Sequence, residues 1–244
     1  MPNSQNTGNS VNVANFQTLL SYCIAFGTSY NPAKEALKVV NLQSLLNDAR
    51  DILASVHTLE TAYDNAVDAR KKIFNDLRPL STKVYGAFTL SDVDEIVVDG
   101  AKSIYRKIQG QRASAKPEAI IVDGVATNPK TRSASQQSFD DLIEHFDALI
   151  SLVSSHSTYS PNEETIQVPA LKNYLIALRN ANTLVTNSHT DINLERGKRN
   201  TILYTPKTGL VDIALDVKTY IRITYGMNSV EYNNVKGISF RNVK

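Results

Sequence analysis

Two stretches decide the reading of this chain: YNPAKEALKVVNLQSLLNDAR at residues 30–50 and YSPNEETIQVPALKNYLIALR at residues 159–179. A shift of 129 residues lays Tyr30 on Tyr159, Pro32 on Pro161, Glu35 on Glu164, Val39 on Val168 and Leu42 on Leu171. It also lays Leu37 on Ile166, Leu46 on Leu175, Arg50 on Arg179, Arg70 on Arg199 and Ile73 on Ile202. After a slip of two residues, a shift of 127 pairs Pro79 with Pro206, Val84 with Val211, Ile96 with Ile223, Tyr105 with Tyr232 and Gly110 with Gly237. A near-constant shift with matching prolines over about eighty positions reads as an internal duplication, the kind of signal that has to be found before any element is assigned.

Each copy predicts the same order of elements. A first helix carries apolar residues at helical spacing: Phe16, Leu19, Leu20 and Cys23 in one copy, Leu142, Phe146, Leu149 and Val153 in the other. Ser138 with Asp140 and Asp141 places a cap and acidic residues at the positive end of the second of these. The Tyr-x-Pro segment has to be extended, because a residue before proline is pushed out of the α region. A long helix follows, from about residue 41 to 77, with the stripe Leu42, Leu46, Ala49, Leu53, Val56, Ala66 and Phe74; it would be about 55 Å long. Its counterpart, about 170–204, has a weaker stripe. Ser188, His189, Gly197 and Arg199 between Thr186 and Asn200 predict a kink or a polar layer there. Shorter helices close each copy: Leu80–Phe88 and about Asp92–Gln109 with Val93, Ile96, Val97, Ala101, Ile104 and Ile108 inward, then Leu210–Tyr225 and Ser229–Val235.

The expected fold is therefore all-α: an elongated antiparallel bundle of two duplicated halves, each with one long central helix and each burying its stripe against its own shorter helices. The expected boundaries are a disordered tail at 1–11, a first repeat at 12–110, a flexible basic linker at 111–137, a second repeat at 138–237 and a C-terminal tail at 238–244. At most a short strand pair is expected in the linker and C-terminus, from Glu118–Val122 and Gly237–Arg241.

Composition narrows the function. The chain has 244 residues, 42% hydrophobic and 20% charged, with 26 Lys+Arg against 24 Asp+Glu and a net charge of +2. Its single Cys rules out an internal disulfide and any multi-Cys zinc site. No apolar run approaches the ~18 residues that span a bilayer, and the first ten residues lack the basic and apolar regions of a secretory signal. Positive charge concentrates between Lys102 and Arg132, where seven basic residues face two acidic ones.

Chemistry finds little to hold on to. His57, His145, His156 and His189 form no metal-binding spacing. Cys23 lies in an apolar stripe, as a core thiol would. Asp92, Asp94, Glu95 and Asp99 could gather a cation, but they lack the glycine and the terminal glutamate of a calcium loop, and acidic residues are favoured at a helix start in any case. Phosphate-binding glycine loops and nucleophile elbows are missing too. Arg70 and Arg199, each on a long helix, are expected to pair with carboxylates of a neighbouring helix.

Several segments resemble a family of uncharacterised bacterial proteins with an internally duplicated all-helical unit. They are Tyr159-Ser160-Pro161-Asn162-Glu163, Arg199-Asn200 with Leu203-Tyr204, Thr208-Gly209-Leu210-Val211-Asp212, Val217-Lys218-Thr219-Tyr220, and Tyr225-Gly226 followed by Ser229 and Tyr232. Val230 departs from the pattern, which has a proline there. The resemblance implies the duplicated architecture and a bacterial cytoplasmic setting. It brings no activity, cofactor or site residue.

The functional expectation is a non-enzymatic structural or scaffolding protein, without cofactor or metal, that associates with itself or with another protein. Head-to-tail contacts between two similar surfaces build rings or filaments, and Ile238, Phe240 and Arg241 could add to a neighbour's sheet edge. Two alternatives rank below it. One is a membrane-active helical protein. The other is a nucleic-acid-associated protein in which Arg106, Lys107, Arg112, Lys116, Lys130 and Arg132 contact the polyanion.

Overall fold

A computed structural model describes residues 4–111, 120–122, 125–127 and 136–242. Its fold is helical and bundle-like. In chain order the elements are α1 (Ser4–Ala25), α2 (Val39–Asn75), α3 (Leu77–Thr89), α4 (Glu95–Gln109), β1 (Ile120–Val122), β2 (Val125–Thr127), α5 (Phe139–Ser154), α6 (Val168–Tyr204), α7 (Leu210–Tyr225) and α8 (Val230–Lys236). Helices α2 and α6 have 37 residues each. Each is preceded by a single 3-10 turn, Glu35–Leu37 and Glu164–Ile166.

The boundaries have local causes. Ser138 Oγ accepts the Asp141 amide at 3.0 Å while the Ser138 amide donates to Asp141 Oδ2 at 3.3 Å, so a capping box starts α5. Ser229 Oγ accepts the Tyr232 amide at 3.1 Å and starts α8, which makes Val230 the first helical residue without the help of a proline. Gly110 stops α4 with a left-handed φ of 70°.

The Tyr-x-Pro corners are built alike. Tyr30 and Tyr159 are each 6% exposed. Their hydroxyls donate to the carbonyls of Leu37 and Ile166, each at 2.8 Å and each seven residues on. The extended backbone ahead of each long helix is thus tied to the turn that enters it. Burial pushes the Tyr159 hydroxyl up to about 12, so it stays protonated and donating.

The compact units do not coincide with the sequence halves. One unit comprises Met1–Tyr63 with Ser188–Lys244; the other is Asp64–Asn187. The first unit thus takes α1 and the start of α2 from one end of the chain, and the close of α6, α7 and α8 from the other. Its core includes Phe16, Leu19, Cys23, Leu42, Leu203, Ile213, Val217 and Val235. The second unit takes the end of α2, α3, α4, α5 and the start of α6, around Leu77, Phe88, Ile108, Phe146, Leu149, Leu171 and Leu178. The chain crosses from unit to unit inside α2 and inside α6, not at residues 111–137. Gln137 Nε2 donates to the Lys107 carbonyl at 2.6 Å, and Arg78 Nη2 donates to Gln137 Oε1 at 2.9 Å. Each unit therefore combines segments from both halves of the sequence, where a bundle closed within each half was expected.

Two further expectations are corrected. Residues 4–11, read as part of a disordered tail, belong to α1, where Asn9 is 1% exposed. Residues 238–242 form no strand. Their carbonyls are taken by side chains instead: Lys218 Nζ donates to Ile238 O at 2.6 Å, Asn15 Nδ2 to Ser239 O at 2.7 Å and Asn12 Nδ2 to Arg241 O at 2.7 Å. The strand pairing among the described residues is β1 with antiparallel β2, Ile121 opposite Ala126.

Candidate functional site

The weak stripe of α6 is a polar layer on an unbroken helix. Within the first unit Arg196 Nη2 pairs with Glu60 Oε1 at 2.8 Å, Ser55 Oγ donates to Glu195 Oε1 at 2.6 Å, and the His189 ring leans on Tyr63. Arg199, 7% exposed, donates to Asn200 Oδ1 through Nε and Nη2. Burial lowers its pKa from an already high value, with the Arg196 charge adding to the effect. Asn12 Nδ2 donates to the Tyr204 hydroxyl, which donates in turn to Asn9 Oδ1. This network holds α1, α6 and the C-terminus of one unit together.

In the second unit Arg70 does not meet a carboxylate as expected. Its Nη1 donates to Asn182 Oδ1 at 2.9 Å and its guanidinium lies 4.0 Å over the Phe139 ring. Asn182 Nδ2 passes the contact on to Asp140 Oδ1 at 2.7 Å.

The residues read as an assembly edge are engaged within the chain. Ile238 and Phe240 pack against the first unit's core, and the Arg241 amide donates to Asn12 Oδ1 at 3.0 Å. Of the basic set, Arg106 and Lys107 occupy the last turn of α4, where cations suit the negative end of the helix. Arg112, Lys116, Lys130 and Arg132 lie outside the described residues.

Cys23 is fully buried, and loss of solvation pushes its thiol up to about 11, well away from nucleophilic use. His145 is held below its ordinary pKa, first by burial and then by the Lys107 charge. His57 is exposed on α2. Among the described residues no three His, Cys, Asp or Glu side chains converge on a point that could hold a metal ion, and no helix is long and apolar enough to cross a membrane.

Two features do stand open to solvent. The first is a cleft of about 560 Å³ in the second unit, between the α3–α4 turn and the residues after α5. Asp92 and Asp94 line one side of it; Ser155, His156, Ser157 and Thr158 line the other. His156 Nδ1 lies 3.0 Å from the Leu152 carbonyl, and the ring stands edge-on to Phe88.

The second feature is a pair of apolar helix turns. Leu90 and Ile96, at the α3–α4 turn, are 88% and 85% exposed. Ile223, Met227 and Val230, at the α7–α8 turn, are 74%, 66% and 71% exposed. Ile96 was expected in the inward stripe of its helix. It shares a face with the exposed Gly100 and Ser103, while Ala101, Ile104 and Ile108 turn inward. The 127-residue shift pairs Ile96 with Ile223, so a signal for this surface was present in the sequence. Helical spacing alone assigned Ile96 to a core.

No family model, curated protein or solved structure matches the chain.

Proposed function

We infer that this is a duplicated, non-enzymatic scaffolding protein that self-associates through its two exposed helix turns. One observation carries the reading: large apolar side chains stand largely in water, Leu90 and Ile96 in one unit, Ile223, Met227 and Val230 in the other, with Ile96 and Ile223 matched by the 127-residue shift. A single exposed Leu or Ile needs no explanation, but clusters at helix turns mark contact surfaces. Burying each such side chain returns ~1.5–3 kcal/mol, so a few together offset part of the cost of association.

The duplication is part of the same reading. It is supported by the paired Tyr-x-Pro corners with equal hydroxyl bonds, and by two 37-residue helices that begin 129 residues apart. Two related but non-identical surfaces on one chain suit heterologous contacts, which close into rings or extend into filaments. Sedimentation velocity from 1 to 100 µM with electron microscopy tests the proposal (concentrations on the order of ordinary association constants). Concentration-dependent oligomers are expected, and Ile223→Glu combined with Met227→Glu should abolish them. A particle that stays monomeric over that range contradicts the reading.

A further inference from the structure

The two exposed turns differ in charge. Between Leu90 and Asp99 stand four carboxylates, Asp92, Asp94, Glu95 and Asp99, and no cation; all four are exposed. Between Lys218 and Lys236 stand three cations, Lys218, Arg222 and Lys236, against Glu231 alone. Among the described residues neither the four carboxylates nor Arg222 takes part in an ion pair.

We propose that the acidic α3–α4 turn of one copy receives the basic α7–α8 turn of a second copy, with Arg222 entering the cleft between Asp92 and Asp94. The inference rests on the self-association just proposed and specifies its geometry. Apolar surface is available on both turns, so hydrophobic burial alone would allow three pairings: acidic with acidic, basic with basic, or acidic with basic. Charge selects among them, because like charges brought together at an interface cost several kcal/mol while opposite ones steer encounter. Only the mixed pairing is favourable, and it is heterologous by construction.

The cleft fits this occupant better than it fits a bound ion. Its acceptors (the two carboxylates and the Ser157 and Thr158 hydroxyls) are spread around about 560 Å³, and among the described residues no three metal-ligating side chains converge. Such a space accommodates a long side chain with several donors. A guanidinium presents five N–H donors in a planar fork that carboxylates accept. Ile223 and Met227, which follow Arg222 in sequence, would lie against Leu90 and Ile96.

The test is a charge exchange in the full-length chain, read by sedimentation velocity and light scattering. Arg222→Glu alone and Asp92→Lys with Asp94→Lys alone should each weaken self-association at least tenfold. An equimolar mixture of the two should restore it: the first retains the natural acidic turn, the second retains Arg222, and their altered turns complement each other. Raising salt from low to high should weaken the wild-type contact and the restored one together. Far-UV circular dichroism and melting confirm folding; Arg222→Gln and Asp92→Asn with Asp94→Asn serve as milder versions with the same expected direction.

If the wild type associates but the variants and their mixture associate equally well, the proposed docking is wrong while self-association stands. If the wild type is monomeric throughout, both fall. If the monomer's melting temperature instead rises with spermidine but not with sodium chloride of equal ionic strength, the cleft takes a small cation and the docking is overturned.

Discussion

Replacing Tyr159 by Phe removes one hydroxyl and leaves the ring, so it isolates the bond that closes the corner ahead of α6. The hydroxyl donates to the Ile166 carbonyl at 2.8 Å inside a site only 6% exposed. A net hydrogen bond contributes ~0.5–1.5 kcal/mol, and a buried carbonyl left without it costs ~1–3 kcal/mol. Cavity formation adds nothing, because ring volume is kept. The expected loss is therefore about 1–2 kcal/mol. For a chain of this size ~1 kcal/mol moves the melting temperature by ~2–4 °C, which gives a drop of roughly 2–8 °C. Tyr30→Phe removes the equivalent 2.8 Å bond to Leu37 in the other unit and should cost a similar amount. The two sites share no hydrogen-bond partner, so the double variant should add to within ~0.5 kcal/mol. Urea unfolding followed by circular dichroism, with the slope m held constant, gives all three numbers. A loss below ~0.3 kcal/mol at either corner would refute the claim that these hydroxyls hold the entries of the long helices.

Three other expectations follow from single positions. Gly209 precedes α7 where an added Cβ would lie 2.6 Å from the Thr205 amide nitrogen and 2.9 Å from two backbone oxygens; Gly209→Ala should cost more than ~2 kcal/mol by urea unfolding, since backbone has to move. His145 has a folded pKa below its unfolded value of 6.5. The unfolded chain therefore binds the proton more readily, and stability should be flat above pH ~6.5 and fall as the pH drops below it. His145→Gln should remove that part of the slope in a pH series of melts. Cys23, with its thiol pushed up to about 11 and no exposed surface, should react with a thiol reagent only as fast as the protein unfolds. Fast native-state labelling would contradict its burial.

Much of the architecture was legible because it follows from local rules. Apolar spacing and the prolines located α2, α5 and α7 to within a few residues, and Ser138 announced the cap of α5. What the chain could not announce was pairing at long range. Helical stripes say which face is buried, not which helix covers it. The assignment of each half to its own bundle therefore gave way to units drawn from both halves. The tail at residues 1–11 misled for a similar reason: Asn9 is buried in α1 by a bond from Tyr204, nearly 200 residues away. Ile238 and Phe240 have the alternation of a strand, but Lys218 and the asparagines of α1 satisfy that backbone first. The cleft was half visible. The carboxylates Asp92 and Asp94 stood out by composition, whereas His156 joins them only through the fold.

The central claim is that each compact unit needs segments from both halves of the sequence, and cutting the chain within residues 111–137 tests it most directly. Each fragment then carries one complete sequence half but only part of either unit. The account predicts that neither fragment alone gives a folded, cooperatively melting monomer, and that mixing the two restores the native circular dichroism and melting transition as a one-to-one complex. A fragment ending near Gly110 that folds and melts cooperatively as a monomer would contradict it.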